Sequence, residues 1–369
     1  MTSAGRPSFS VSCIGGLEEI VSEELQCRVP AALVAATEFG RVHFRYAGPV
    51  APLMDLRTVE HVHAYVAVLQ GVRPDRDWLN ELEGTLAQTD LLPALGLLRQ
   101  VSDLPAEPSF RATGFRVGAH EFRSPELGVA AGAGIVERYG WRVDLEHYDL
   151  EVRVEVRDDR GRIGIRLSPE ALHHRSRIVH MRASLNPTVA AAMARLSEPT
   201  PGEVVLDPMC GAGTLLTERY QCDPEVSLLG GDRYAEKVAL ARTNLTHFAV
   251  PGRLVQADAR CLPLAAGSVG KVLCNLPWGR IVANPRLNRW LYPELLAEFH
   301  RVLRPGGLAV LLTSERNLTS GLLARRQGFR LERSLHLHIG GLEPTLYVAR
   351  RVGEGAEGTP EPYEAVGRG

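Results

Sequence analysis

Lysine is almost missing from this sequence. Lys237 and Lys271 are the only two among 42 basic residues, so nearly every cation is an arginine. Arginine suits bidentate contacts with phosphate, but a bias across a whole chain reflects coding composition as readily as function and decides nothing. A surplus of charge is missing too. The formal net charge is −1, so bulk electrostatics does not point to a nucleic-acid partner, and any such surface must be local. No apolar run approaches the ~20 residues of a membrane helix. The opening MTSAGRPSFS has no charged stretch followed by an apolar one, so no secretory signal is expected and the expected location is the cytoplasm, away from membranes. The six cysteines, Cys13, Cys27, Cys210, Cys222, Cys261 and Cys274, form no CxxC pair and no Cys/His cluster at metal spacing. Reduced, mostly buried thiols and no metal site are expected.

What is present is an ordinary globular composition, 45% hydrophobic and 23% charged over 369 residues. That length exceeds one core and implies two or three domains. In GGLEEIVSEEL, Leu17, Ile20, Val21 and Leu25 share a helical face opposite glutamates. Around 59–69, Val62, Ala64, Val66 and Val68 alternate with His61, His63 and Tyr65, as in a half-exposed strand. Trp78 to Leu98 reads as helical. Ser124-Pro125-Glu126 supplies an N-cap, a proline at the first helical position and an early acid, predicting a helix to about Tyr139. Leu150, Val152, Val154 and Val156 alternate with Glu151, Arg153, Glu155 and Arg157. After the turn-rich DDRG, Ile163, Ile165 and Leu167 alternate again, which predicts a hairpin. This half is a small α+β module, or two.

After about 184 the pattern changes. A helix from Pro187 to Leu196 leads into VVLD (204–207), a glycine turn and a helix. Strands are then expected at 228–232, 253–258, 271–275 and 308–313, with helices at 236–248, 291–303 and 318–326. Two final strands, 329–338 and 345–350, with a short link read as antiparallel. Repeated βα units imply a mostly parallel, doubly wound α/β sheet. The Gly/Glu/Pro-rich tail, 353–369, is expected to be disordered.

The most informative segment is VVLDPMCGAGTLLTE (204–218), a strand ending in an acid and a glycine turn opening a helix. Gly211 and Gly213 allow close approach of a ligand to the backbone, at the strand ends where open parallel sheets bind ligands. The third glycine of a dinucleotide fingerprint is replaced by Leu216, and no P-loop lysine follows. Asp207 could accept a hydrogen bond from a bound ammonium group or its water. Asp232 ends the next strand, where a carboxylate can take both ribose hydroxyls, and Asp258 ends the third, placed for an adenine amine. Each alone reads as a solvated strand-end acid; three in register point to a nucleoside-like ligand.

Together, DPMCGAGT, Asp232, Asp258 and NLPWG (275–279) resemble the class I S-adenosylmethionine-dependent methyltransferases, specifically those acting on amino groups through an (N/D)-P-P-(Y/F/W) motif. The resemblance implies S-adenosylmethionine as cofactor and a Rossmann-like domain with a terminal antiparallel hairpin. Asp207, Pro208, Cys210, Gly211, Gly213 and Thr214 would face the methionine moiety. Asp232 would hold the ribose and Asp258 the adenine, with Arg233, Ala259 and Asn275 also among the cofactor-binding residues. In NLPWG, hydrogen bonds from an aryl amine to the Asn275 side-chain oxygen and the Leu276 carbonyl would localise the amine's lone pair and aim it at the sulfonium methyl. Pro277 stiffens the loop, and Trp278 offers a face for an extruded base. Leucine at the second position departs from the usual DNA adenine pattern and is closer to RNA guanosine-N2 enzymes.

The front half, over about 109–177, resembles a THUMP domain, an RNA-binding module found ahead of several tRNA-modifying domains. The matched features are Arg111, Arg116, His120, Phe122, Ser124, the hairpin, and Leu172-His173-x-Arg175-x-Arg177. A weaker likeness over 1–70 is to the ferredoxin-like domain that precedes THUMP. LNPTVAAAM (185–193) and LYPELL (291–296) continue the likeness to THUMP-containing tRNA guanosine-N2 methyltransferases acting near the acceptor stem. The expected division is a ferredoxin-like domain (1–70), THUMP (71–168), a linker (169–183), a methyltransferase domain (184–352) and the tail. Within 171–197, Arg175, Arg177, Arg182 and Arg195 occur with three histidines and no acid, a run able to follow phosphates. tRNA is the expected partner, DNA is disfavoured by the front domain, and a monomer is expected. Methylation of another tRNA or rRNA guanosine or of an adenine N6 stays open, as does a catalytically silent RNA-binding protein.

Overall fold

The computed structural model describes residues 7–172, 185–279, 285–325 and 328–353. The expected tail and the arginines Arg175, Arg177 and Arg182 lie outside the described residues. The chain divides into two compact units near residue 176, with Asn186–Ala192, the first part of a helix at Pro187–Leu196, grouped with the first unit.

The first unit is built on one seven-stranded sheet. Its strands are β1 (Ser8–Ser12), β2 (Leu33–Glu38), β3 (Arg41–Arg45), β4 (His61–Gln70), β5 (Phe110–Val117), β6 (Leu150–Arg157) and β7 (Arg160–Arg166), in the order β2-β3-β1-β4-β7-β6-β5. β4 pairs with β1 on one side and β7 on the other, so the sheet runs unbroken across residue 70. The predicted hairpin is β6–β7, with Val152 opposite Ile165 and Val154 opposite Ile163. Leu150, Val152, Val154 and Val156 are buried in the unit's core, each contributing roughly 1.5–3 kcal/mol of transfer free energy. Helices α1 (Glu18–Arg28), α2 (Ala51–Met54), α3 (Trp78–Gln88), α4 (Leu92–Leu98) and α5 (Ser124–Tyr139) complete the unit. α5 lies so close to β5 that a Cβ on Gly114 would fall 2.1 Å from the Ser124 carbonyl oxygen.

Three local expectations need correction. The α5 N-cap is Arg123 rather than Ser124, and the Glu126 carboxylate accepts the Arg123 backbone N–H at 2.8 Å. The helix expected from Trp78 to Leu98 is two, because Pro93 has no N–H to give and would clash with the Thr89 carbonyl; the Tyr139 hydroxyl instead accepts the Leu91 N–H at 2.8 Å. In β4 the alternation reverses after Val66. A bulge between Tyr65 and Ala67 turns Leu69 inward and leaves Val68 64% exposed.

The second unit carries another seven-stranded sheet: β8 (Glu203–Asp207), β9 (Val226–Asp232), β10 (Arg253–Gln256), β11 (Val269–Asn275), β12 (Leu303–Thr313), β13 (Phe329–His336) and β14 (Thr345–Arg351). The order is β10-β9-β8-β11-β12-β14-β13, with the first five parallel and β14 inserted antiparallel between β12 and β13. After α6 (Pro187–Leu196), its helices include α7 (Thr214–Cys222), α8 (Ala235–His247), α9 (Pro285–Val302) and α10 (Arg316–Arg325). β8 sits between β9 and β11, so the winding reverses beside it, and the carboxyl ends of these three strands are brought together. All six cysteines are free thiols. Cys13, Cys210 and Cys274 are buried, but Cys27 and Cys261 are exposed, so burial is less general than expected. Among the described residues no helix is long and apolar enough to cross a membrane.

Candidate active site

The loop after β8 is shaped by its glycines and by the neighbouring strand. Cys210 donates its backbone N–H to the Gly231 carbonyl (2.8 Å), and Gly213 donates to the Cys210 carbonyl (2.7 Å). Gly211 and Gly213 have φ of +51° and +82°, the region that favours glycine. A Cβ on Gly213 would lie 2.5 Å from Leu245 Cδ1 of α8, whereas one on Gly211 would meet nothing within 4 Å. The loop is therefore packed against the protein at Gly213 and open to a ligand at Gly211. Asn244 pins it further, its side-chain amide donating to the Ala212 carbonyl at 2.9 Å.

Asp207 and Asp232 are both buried beside this loop. Asp207 accepts the Met209 N–H at 3.1 Å. Burial, reinforced by the charge of Asp232, pushes its carboxyl up to about 8. Asp232 accepts the Gly211 N–H at 3.2 Å and the Tyr234 N–H at 3.1 Å, with Lys237 Nζ 3.9 Å away. Asp232 thus ties the strand end to the glycine loop. Asp258 differs. β10 stops at Gln256, two residues short of it, and Asp258 is held by the Arg260 guanidinium at 2.7–3.2 Å, which draws its carboxyl down to about 2. Ala259 beside it is buried, and Arg233 is exposed with its guanidinium 5.0 Å above the Tyr234 ring.

Asp207 has no cationic partner among the described residues. An unpaired carboxyl at that depth is unfavourable, and an ammonium group brought by a ligand would relieve it. Together with the opening at Gly211, this buried acceptor fits the methionine end of S-adenosylmethionine.

Asn275 ends β11 beside these groups. Its side-chain oxygen accepts the Trp278 indole N–H at 3.0 Å, which orients the amide and leaves a second lone pair available. Sequence reasoning expected from Trp278 only a stacking face. Leu276 is buried and donates its N–H to the Leu312 carbonyl at 2.9 Å. The Pro277 carbonyl accepts two hydrogen bonds from α9, from Asn288 Nδ2 (2.9 Å) and the Tyr292 hydroxyl (2.7 Å). Tyr292 also meets the Thr313 hydroxyl at 2.7 Å, and Asn288 reaches Glu315 at 3.1 Å. The Trp278 carbonyl accepts the Ser314 hydroxyl at 3.1 Å. Sequence reasoning missed these supports. The spacing of Asn288 and Tyr292, four residues apart on one helical face, was the available signal.

The candidate RNA contacts of the first unit do not form one cluster. Arg111 and Arg116 are an odd number of residues apart on β5 and face opposite sides of the sheet. Arg111 pairs with Glu151 at 3.0 Å, its guanidinium 4.3 Å above the Tyr148 ring. Arg116 donates to the Gly118 carbonyl, and His120 lies 2.9 Å from the Asp158 carbonyl oxygen. The Arg111 face continues across the sheet. Arg153 and Arg157 lie over Phe115, and Arg162 over Tyr65. Glu38, Glu151 and Glu155 interrupt it.

Two family models match the chain: a THUMP domain over residues 99–166 and an RMKL-like methyltransferase domain over 174–344. The tRNA (guanine(6)-N2)-methyltransferase of Thermus thermophilus is 31% identical over 346 residues, covering 91% of this chain and 97% of its own length. The mouse tRNA (guanine(6)-N(2))-methyltransferase THUMP3 is 33% identical over 267 residues, 68% of this chain. The chain spans about half the length of that mammalian relative, 53%. The crystal structure of TrmN from Thermus thermophilus superposes with a TM-score of 0.81 at 30% identity, over 94% of this chain and 99% of that one.

Proposed function

The chain belongs to the family of THUMP-domain tRNA guanine-N2 methyltransferases, and on that footing we propose that it methylates the N2 amine of a guanosine in the acceptor stem of tRNA, with S-adenosylmethionine as donor. The observation that carries the reading is Asn275, held by Trp278 at the end of β11 beside the buried pair Asp207 and Asp232. The acceptor stem accords with the position 6 in the relatives' names.

When bound, S-adenosylmethionine supplies the methyl group. Asp207 would hold its ammonium, Asp232 the ribose hydroxyls and Asp258 the adenine amine, with Gly211 opening the loop to it. The guanine amine would donate to Asn275 Oδ1 and the Leu276 carbonyl, which returns lone-pair density to N2 and aims it. The Pro277 carbonyl already accepts two hydrogen bonds and is not available for this. Asparagine is no base, so the proton leaves to water. The Trp278 ring stacks on the base, while its N–H keeps the Asn275 oxygen in place. The domain division at 70, 168 and 183 belongs to the same reading. The first unit selects the RNA, with the arginine–aromatic face of its sheet as the tRNA surface. A monomer working in the cytoplasm completes it.

The test is labelled-methyl transfer to intact tRNA and to tRNA trimmed of its 3′-terminal nucleotides, followed by nucleoside mass spectrometry. N2-methylguanosine mapped to the acceptor stem, with a large loss on trimming, is expected. Methyladenosine, or label outside the acceptor stem, would overturn the substrate assignment.

A further inference from the structure

α9 has two faces with different fates. Asn288 and Tyr292 point inward and hold the Pro277 carbonyl, and Leu295, Leu296 and Phe299 fill the core behind them. Around the same turns, Leu287 and Trp290 point outward, 60% and 79% exposed. Their spacing of three places them on one surface stripe. Arg286 and Arg289 beside them are also exposed, and the helix has no acid before Glu294, which already faces Arg260 at 3.2 Å. An indole left this far in water adds little to the core. It stands two residues from each of the side chains that clamp the NLPWG loop.

We propose that Leu287, Trp290 and Arg289 form a lip that engages the RNA strand next to the methylated guanosine, the indole stacking on a neighbouring base and the guanidinium meeting its phosphate. The proposal rests on the RNA methyltransferase reading above and adds residues to it. Extruding a guanine leaves its neighbour with one face unstacked, and an exposed aromatic flanked by cations is the chemistry that receives such a base. Charge complementarity favours RNA, since Arg289 is exposed beside the indole and α9 carries no acid before Glu294. A protein partner is disfavoured by extent: two apolar side chains fall well short of the ~800 Å² per partner of a stable interface. Because α9 also carries Asn288 and Tyr292, the lip and the clamp on the NLPWG loop share one helix.

The experiment compares full-length wild type with Trp290→Ala, Trp290→Phe and Arg289→Ala. The readouts are tRNA binding at fixed salt, KM and kcat for tRNA methylation, tryptophan fluorescence on adding tRNA, and melting temperature. Trp290→Ala should weaken tRNA binding and raise KM about 5–100-fold, in line with one lost stacking contact, with an unchanged melting temperature and unchanged calorimetric binding of S-adenosylmethionine. Trp290→Phe should recover most of the binding while losing part of the fluorescence response to tRNA. Arg289→Ala should reduce the salt dependence of binding. If Trp290→Ala matches wild type in KM and binding on a tRNA that wild type methylates normally, the lip is refuted while the enzyme assignment stands. Loss of a co-purifying protein without any change in tRNA KM would overturn it equally. A wild type that methylates no tRNA would reject the underlying reading and the lip with it.

Discussion

At pH 6 the Asp207 carboxyl holds a proton that an incoming ammonium group must displace. Burial, with the charge of Asp232 adding to it, keeps this carboxyl at about 8, against an ordinary 3.8. Only the carboxylate form attracts the ammonium of S-adenosylmethionine, so each pH unit below 8 should cost about 1.4 kcal/mol, or tenfold in affinity. Cofactor affinity should therefore rise by up to about 50-fold between pH 6 and pH 8, where half of this carboxyl is ionised, and fall again above that as the ligand's α-ammonium, ordinarily near 8, loses its own proton. Calorimetry in two buffers of different ionisation enthalpy reads both the affinity and the proton count, and close to one proton should be released near pH 6.5. Asp207→Asn, which keeps the shape and removes the titration, should bind more weakly and with no such slope. The same linkage has a definite sign for stability. Between 3.8 and about 8 the folded ligand-free protein binds a proton that the unfolded chain does not. Stability should thus fall through this group as pH rises across that window, by up to about 1.4 kcal/mol per unit, and Asp207→Asn should flatten the fall. A wild-type affinity constant within twofold from pH 6 to 7.5, with no proton released, would refute the assignment of Asp207 to the ammonium.

Asn275→Ala should retain cofactor binding and lose turnover about 10²–10³-fold, the scale of removing one transition-state hydrogen-bond partner; single-turnover methylation at the normal rate would show that NLPWG is not the active site. Asp232→Ala removes the ribose acceptor and also the acceptor of the Gly211 N–H, so calorimetry should show cofactor binding weakened by about 1–3 kcal/mol, and full affinity would rule out the ribose role. Tyr292→Phe deletes the hydroxyl shared by Pro277 and Thr313. It should lower stability in denaturant titrations by about 0.5–1.5 kcal/mol and lower kcat with cofactor affinity unchanged; an unaltered kcat would make this clamp purely structural.

Much of the fold was legible because its signals are local. The strict alternation through 150–157 and 163–167 could only face a core as a hairpin, and that is β6–β7. VVLD followed by Gly211 and Gly213 marked the tight turn after β8, because a backbone at φ +51° and +82° is written directly in the choice of glycine. The order of βα units predicted a doubly wound sheet, and Asn275 fell at the end of its strand as the motif spacing required. In each case the deciding neighbours are a few residues apart along the chain, so period and composition alone determined the outcome.

Tertiary structure decided what depends on distant partners. The reversal at Ala67 follows from a bulge against β7, nearly a hundred residues on, and β14 enters between β12 and β13 through pairings that no local pattern encodes. Asp207 and Asp258 look alike in sequence as acids following strands. Burial without a cation raises one carboxyl to about 8, and Arg260 lowers the other to about 2. The grip of Asn288 and Tyr292 on Pro277, and of Trp278 on Asn275, likewise exists only once α9 and β11 have met. Local sequence sets backbone propensity and which side of an element is apolar. Desolvation and hydrogen-bond geometry act between groups whose separation only the folded chain defines.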